Sequence, residues 1–238
     1  MQMFDFLYPK HTAYNKYMIL SRPRTGSSVL DRMLGKHKQV RGRGEMFNRL
    51  TGHRPEEIWN SLFTGLPTPI KAAGFKMHYH HPTDTDKQET WDLLTTRRDL
   101  HVIHIRRENI LRMLVSGRIT RKLKIYNIRF PFQRPPISKR RLEINREELL
   151  HAIKKESAQY NQHSMLFSAH PYFEVTYERL IKQPQQEFNR ILDFLELSHQ
   201  PPDFSLAVLN PEPLSELITN YDQLRSNFES TEWIWMFE

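Results

Sequence analysis

Tyr17-Met18-Ile19-Leu20-Ser21-Arg22-Pro23-Arg24-Thr25-Gly26-Ser27-Ser28 decides how the rest of the chain is read. Four apolar residues in a row, closed by a turn, read as a short strand buried on both faces. Gly26 lets the backbone bend tightly against a ligand, and the serines behind it open a helix from about Ser27 to His37. Amides at a helix start have no intrahelical partner, and the positive end of the helix dipole lies with them, so they bind anions. The hydroxyls of Ser27 and Ser28 add donors, and Arg24 adds a fixed positive charge. Taken alone, the stretch is equally an ordinary strand-to-helix turn with serine caps.

The alternation continues along the chain. Ile70–Met77, Leu100–Ile105 and Pro171–Thr176 read as further strands. Helical stretches are expected from Pro55, over Thr85–Thr96, Asn109–Ile119 and Asn145–Ser168, over Tyr177–Leu197 with a break at Pro184, and over Pro213–Phe228. Asn127 to Asn145 holds Pro131, Pro135 and Pro136 and reads as a loop. Strands separated by helices pair in parallel, which predicts a three-layer α/β fold with a short parallel sheet flanked by helices.

At 238 residues, and with about 150 residues per domain as a guide, the chain is expected to form one domain over 1–238 with a basic loop insertion around 120–145. No cysteine is present, which excludes a disulfide-stapled domain and a thiolate metal site. No apolar run approaches the roughly 20 residues of a membrane span, and the first residues lack a signal-peptide pattern, so a cytoplasmic protein is expected. The net charge of +8 points to an anionic partner. That charge is uneven: Arg118 to Arg146 holds ten Lys and Arg and a single acid, Glu143.

The loop approaches the phosphate-binding pattern G-x-x-x-x-G-K-[ST] but departs from it. Gly would be needed at Ser21 and Lys at Ser27. A magnesium-dependent phosphoryl-transfer enzyme also needs an acid at a neighbouring strand end to hold the metal. His101–Ile105 is followed instead by Arg106-Arg107. Arginines in that position suggest neutralisation of an anion by protein charge, with no metal required.

Arg24-Thr25-Gly26-Ser27-Ser28 resembles the 5′-phosphosulfate loop of sulfotransferases that use 3′-phosphoadenosine-5′-phosphosulfate (PAPS). Val102 to Ser116 is similar to the family's 3′-phosphate segment, a strand, then arginine, then a helix carrying a serine. Val175-Thr176-Tyr177-Glu178-Arg179-Leu180 is similar to its strand-then-Tyr-Glu-x-Leu element. Gly74-Phe75-Lys76-Met77 and Asn220-Tyr221-x-x-Leu224 also resemble strings of bacterial members. The resemblance runs from about Tyr17 to the C-terminus and implies a P-loop-like sulfotransferase fold. It assigns donor binding to Arg22, Arg24, Thr25, Gly26, Ser27, Ser28, Tyr177 and Ser116 with either Arg106 or Arg107. The family's 3′-phosphate arginine stands closer to its serine than either arginine does here, so the choice between them stays open.

Glu45 is the candidate general base. It follows Gly42-Arg43-Gly44, read as a loop beginning at the end of the first helix, at a distance of 21 residues from Arg24. That spacing is similar to that of the glutamate in tyrosylprotein sulfotransferases, and a related Gly-x-x-Glu string occurs in bacterial carbohydrate sulfotransferases. Transfer to an alcohol needs a group that accepts the hydroxyl proton. His78, His80 and His81 cluster at a strand end and supply an alternative base. A zinc site would need a third ligand, and none is evident at helical spacing, so no metal is assigned. The basic span 118–146, interleaved with Tyr126, Phe130 and Phe132, reads either as a solvated excursion or as an acceptor-side wall. No recognised nucleic-acid module accompanies it, so nucleic acid is not an expected partner.

The expected activity is transfer of the PAPS sulfuryl group to a hydroxyl, or secondarily an amine, of a small carbohydrate, lipid or metabolite. Arg24 and Glu45 carry the chemistry, and Lys76 is a further candidate for the anionic pocket. The alternatives are a P-loop-like nucleotide kinase and a non-catalytic anion or nucleic-acid binder. Oligomeric state and acceptor identity are not readable from the sequence.

Overall fold

The computed structural model describes residues 8–203 and 207–238. The strands are β1 (Lys10–His11), β2 (Asn15–Ser21), β3 (Val40–Gly42), β4 (Leu66–Pro67), β5 (Ala72–His78), β6 (Leu100–Arg106) and β7 (Tyr172–Thr176). Five of them form one all-parallel sheet in the order β3-β5-β2-β6-β7. β1 and β4 make a separate antiparallel pair. The sequence-predicted strands all form, and β2, the one read from Tyr17–Leu20, lies at the centre of the sheet.

The helices are α1 (Ser27–Gly35), α2 (Pro55–Leu62), α3 (Gln88–Thr96), α4 (Ile110–Leu123), α5 (Ile137–Arg140), α6 (Arg146–Leu166), α7 (Tyr177–Lys182), α8 (Pro184–Phe194), α9 (Leu214–Leu217) and α10 (Tyr221–Ser226). In the unit that holds the sheet, α1, α7 and α8 lie on one face and α2 and α3 on the other. Tyr17, Ile19, Ile103, Ile105 and Val175 face Leu30, Met33 and Leu34 of α1, Leu180 of α7, and Phe188, Ile191 and Leu192 of α8. Met18, Leu20, Phe75, Met77 and Val102 face Ile58, Trp59 and Leu62 of α2 and Leu94 of α3. The alternation along each strand sends successive side chains to opposite layers, which gives the predicted three-layer α/β fold. Gly74 lies opposite Tyr17, whose ring fills the space where a side chain would otherwise stand.

The chain groups into two compact units. Among the described residues, one unit holds the sheet, 8–106 and 162–203; the other holds 107–161 and 207–238. The second unit has its own core, in which Leu111, Val115 and Ile119 of α4 meet Leu149 and Ile153 of α6 and Leu217, Leu224 and Phe228 of the C-terminal segment. The basic stretch 120–145 lies within it.

Three local expectations are corrected. The single helix over Pro213–Phe228 is two short ones, because Ile218 is extended and bridges Leu142, while Asn220 bonds the backbone of Ile144 through its side chain. The stretch read as loop over Asn127–Asn145 contains a 3₁₀ turn at Pro131–Gln133 and α5. Gly42, read as part of a loop, ends β3, whose three residues are too few for a periodic signal.

Candidate active site

Ser21 ends β2, and the chain turns through Arg24 and Gly26, both with positive φ (73° and 90°), before α1 begins. Thr25, fully buried, donates its hydroxyl to the Arg22 carbonyl at 2.8 Å and closes the turn. Gly26 is required here twice over. Its φ lies in the left-handed region, and a Cβ would stand 2.3 Å from Cδ2 of Tyr177. The Tyr177 ring therefore lies against the loop, held at the start of α7 by Thr176, which accepts from the Arg179 amide. No side chain caps α1, so its first amides are left to other partners.

Parallel register builds the opposite side. Ile19 pairs with Lys76 and Ser21 with His78, so Lys76 and His78 point to the α1 layer at the carboxyl edge of the sheet. Beyond β3, Arg43 donates its amide to the Gly74 carbonyl at 2.9 Å, and the Lys76 amide donates to the Gly44 carbonyl at 2.7 Å. That extension runs Glu45 alongside β5. Lys76 Nζ, almost wholly buried, reaches Ser28 Oγ at 3.0 Å and Glu45 Oε1 at 2.9 Å. His78 Nε2 lies 3.4 Å from Glu45 Oε1, with its Nδ1 3.0 Å from Ser21 Oγ. His81 Nε2 lies 3.7 Å from Glu45 Oε2. The predicted anion loop and the predicted base are thus joined through one lysine.

The electrostatics follow from these contacts. His78 and then Lys76 hold the Glu45 carboxyl far below the ordinary carboxylate range, against the opposing effect of burial. Burial, reinforced by the charges of His78 and His80, pushes His81 down to about 3. Asp31, on α1, is displaced upward by burial, with Lys76 opposing and Glu45 adding a smaller rise. Two carboxyls with opposite displacements beside one lysine resemble an acid–base pair divided by environment. Asp31 was not singled out in the sequence, although it stands four residues after Ser27 and shares its helix face.

Glu45, His78 and His81 also bring their ligand atoms within 4.8 Å of one another, a grouping able to hold a metal ion. The third ligand missing at helical spacing thus comes from a separate loop. Within this grouping the Lys76 ammonium lies against Glu45, and His81 Nδ1 accepts the His78 amide at 3.3 Å. A neutral His81 then carries its proton on Nε2, the nitrogen facing Glu45.

Arg106, exposed, closes β6 in register with Thr176, one residue before Tyr177. Arg107 and Ser116 belong to the second unit, where Ser116 is buried on α4. The structure thus brings together Thr25, Gly26, Ser28, Tyr177, Lys76 and Glu45 around the loop, with Arg22, Arg24 and Ser27 on it.

Residues 92–201 match the model of a family described as the sulfotransferase family. A sulfotransferase from Alicyclobacillus acidocaldarius superposes with a TM-score of 0.53 at 18% identity, over 90% of this chain and 91% of that one. The fold is that of the sulfotransferases. The sequence match covers less than half of the chain, and the structural likeness extends the shared fold over nearly all of it. The sulfotransferase domain of the curacin biosynthetic pathway is similar at 16% identity and a TM-score of 0.47, over 80% and 77% of the two chains. A mouse sulfotransferase complexed with PAP is similar at 8% identity and a TM-score of 0.47, over 95% and 88%. No curated protein sequence matches. The matched span contains β6, Arg106, Arg107, Ser116 and Tyr177 but not the loop at 21–28. No helix among the described residues is long and apolar enough to cross a membrane.

Proposed function

We propose that the chain, acting as one catalytic domain, transfers the sulfuryl group of PAPS to a hydroxyl, or secondarily an amine, of a small carbohydrate, lipid or metabolite. The observation that carries this reading is the Ser28–Lys76–Glu45 chain, which ties an anion-binding loop to a carboxylate. The amides of Gly26, Ser27 and Ser28 hold the 5′-phosphosulfate, and Arg24 neutralises charge growing on the bridging oxygen. Tyr177 lies beside the nucleotide. Arg106 or Arg107 with Ser116 takes the 3′-phosphate, an assignment that rests on the family resemblance alone. The acceptor oxygen forms a bond to sulfur, the sulfur–oxygen bond to the 5′-phosphate breaks, and Glu45 takes the acceptor proton. The products are the sulfate ester and 3′-phosphoadenosine 5′-phosphate.

Lys76 has a double part in this scheme. While it holds Glu45, the carboxylate is a poor base, because an effective general base has a pKa near the working pH. An anion at the loop competes for the same ammonium, so donor binding releases Glu45 for its work. The scheme uses no metal: protein cations supply the charge, and the proton on His81 Nε2 together with the Lys76 ammonium favours hydrogen bonding over ion binding at Glu45.

Thermal denaturation with 3′-phosphoadenosine 5′-phosphate and with AMP tests the donor assignment. A ligand of the native state stabilises by about 2.7 kcal/mol at a hundredfold excess over Kd. The bisphosphate is expected to stabilise clearly more than AMP, and equal shifts would refute the 3′-phosphate site. Incubation with labelled PAPS or ATP, each with magnesium or with EDTA, separates the sulfotransferase from a kinase and from a non-catalytic binder. Turnover of PAPS in EDTA is the expected result.

A further inference from the structure

Outside the candidate site, the most unusual surface lies in the second unit, around Tyr126, Phe130 and Phe132. Phe132 is 83% exposed, Tyr126 64% and Phe130 46%, and Val208, whose carbonyl accepts from Arg134, is 51% exposed. Exposed rings of this size, grouped together, mark a contact surface rather than ordinary surface composition. The tip is also built. Phe130 and Phe132 stack in parallel with centroids 5.4 Å apart, and the Arg129 guanidinium stands over Phe130 at 5.7 Å. Gln133 Oε1 accepts the amides of Arg129 and Phe130 at 2.8 and 2.9 Å. Ile128 is buried and bridges Ala207, and Arg134 donates to the Val208 carbonyl at 3.0 Å, so both ends of the loop are pinned. The rings are held outward.

Charge says what they meet. From Arg118 to Leu142 there is no Asp or Glu and there are nine Lys and Arg. Arg118 pairs with Glu148 and Arg140 with Glu212. Arg121, Lys122, Lys124, Arg129, Lys139 and Arg141 remain exposed and have no carboxylate partner among the described residues. A second copy of the chain would bring like charges face to face. A nucleic acid would stack on aromatic faces, but Phe130 and Phe132 each cover one face of the other. An exposed apolar tip flanked along the chain by these Lys and Arg matches the boundary between headgroups and acyl chains of an anionic bilayer.

We propose that the Tyr126–Arg134 tip docks this protein peripherally on an anionic lipid surface, with Phe130 and Phe132 entering the interface and the surrounding cations held by headgroups. This role is independent of the donor site and of the reaction assigned above.

The chain has no native cysteine, so a Phe132→Cys variant carrying an environment-sensitive fluorophore reports from one position. Its emission is expected to shift to the blue with vesicles containing phosphatidylglycerol and not with vesicles of phosphatidylcholine alone. Cosedimentation of the unlabelled protein should show the same preference and weaken as salt rises, since exposed charges are screened over about 10 Å at 0.1 M. Replacing Phe130 and Phe132 together by Ser should lower the partition coefficient by about tenfold or more, with only a small change in thermal stability because the rings pack mainly on each other at the exposed tip. The proposal is overturned if vesicles containing phosphatidylglycerol leave the probe unshifted, if phosphatidylcholine vesicles shift it equally, if the double variant binds as well as the wild type, or if a single-stranded oligonucleotide shifts the probe and vesicles do not.

Discussion

Lys76 Nζ lies 2.9 Å from Glu45 Oε1 and 3.0 Å from Ser28 Oγ, so one buried cation touches both the candidate base and the anion loop. The lysine favours the ionised form of Glu45. Replacing Lys76 by Met removes that support while keeping the chain length. The Glu45 pKa in the free enzyme should therefore rise, and the acidic limb of kcat/KM should move to higher pH. A Lys76→Arg variant should leave the limb near its original position. A limb that stays fixed in Lys76→Met would show that another group sets it.

Glu45→Gln keeps size and hydrogen bonding but cannot accept a proton at neutral pH. It should bind 3′-phosphoadenosine 5′-phosphate nearly as well as the wild type while kcat falls by roughly 10²–10⁴. Near-normal turnover, combined with an indispensable His78, His80 or His81, would transfer the role to that histidine. Asp31→Asn belongs in the same series, since burial displaces that carboxyl upward, opposite to Glu45.

Arg24 occupies a left-handed backbone position in the middle of the loop. If its charge is matched to the departing phosphate more closely than to the bound donor, Arg24→Ala lowers kcat more than it weakens binding. Loss of one transition-state donor costs about 10²–10³ in rate in comparable sites. Steady-state kinetics with the donor varied separates the two effects, and an unchanged kcat with a raised donor KM would make Arg24 a ground-state anchor.

The sheet was legible because β2 carries an unbroken apolar run at Tyr17–Leu20 and β5 and β6 are largely apolar, as strands buried on both faces tend to be. The three residues of β3 carry no such run, and that strand runs straight into the residues that place Glu45. Glu45 was singled out by a spacing from Arg24 similar to that in tyrosylprotein sulfotransferases, but its partners were not legible. Lys76 and His78 meet Glu45 through sheet register, and Ser21 meets His78 the same way, a relation between strands 57 residues apart that no local pattern encodes. For the same reason the grouping of Glu45 with His78 and His81 was invisible to a search at helical spacing.

His81 and His104 are both pushed down to about 3 from 6.5, in each case by burial first. Their folded pKa values lie below the unfolded one, so the unfolded chain binds more protons as the solution is acidified from about pH 6.5 toward 3. Stability should therefore fall with pH through that window. Each such histidine adds a slope approaching about 1.4 kcal/mol per pH unit once the unfolded ring is fully protonated. His104 lies between Tyr79 and Tyr172, and a His104→Gln variant will also lose those contacts. The slope between pH 6.5 and 4.5 is thus the quantity to compare, by urea denaturation at each pH. An unchanged slope in the variant would mean that His104 is not the group titrating.

Gly26 and Tyr177 give a test of the loop that does not depend on turnover. In Gly26→Ala the new Cβ would stand 2.3 Å from the Tyr177 ring, and the backbone would keep a φ of 90° that L side chains resist. Left-handed strain of this kind costs roughly 1–3 kcal/mol, and the ring clash adds to it. Tyr177→Ala removes the clash but leaves the strain. The double variant should consequently be less destabilised than the two single losses added together, by a coupling of about 0.5–3 kcal/mol. Urea denaturation of the wild type, both single variants and the double variant measures that coupling directly. Losses that add to within about 0.3–0.5 kcal/mol would mean that Tyr177 yields freely and does not brace the loop. Binding of 3′-phosphoadenosine 5′-phosphate should stay weak even where stability is recovered, because the strained residue sits where the loop amides must turn toward the anion.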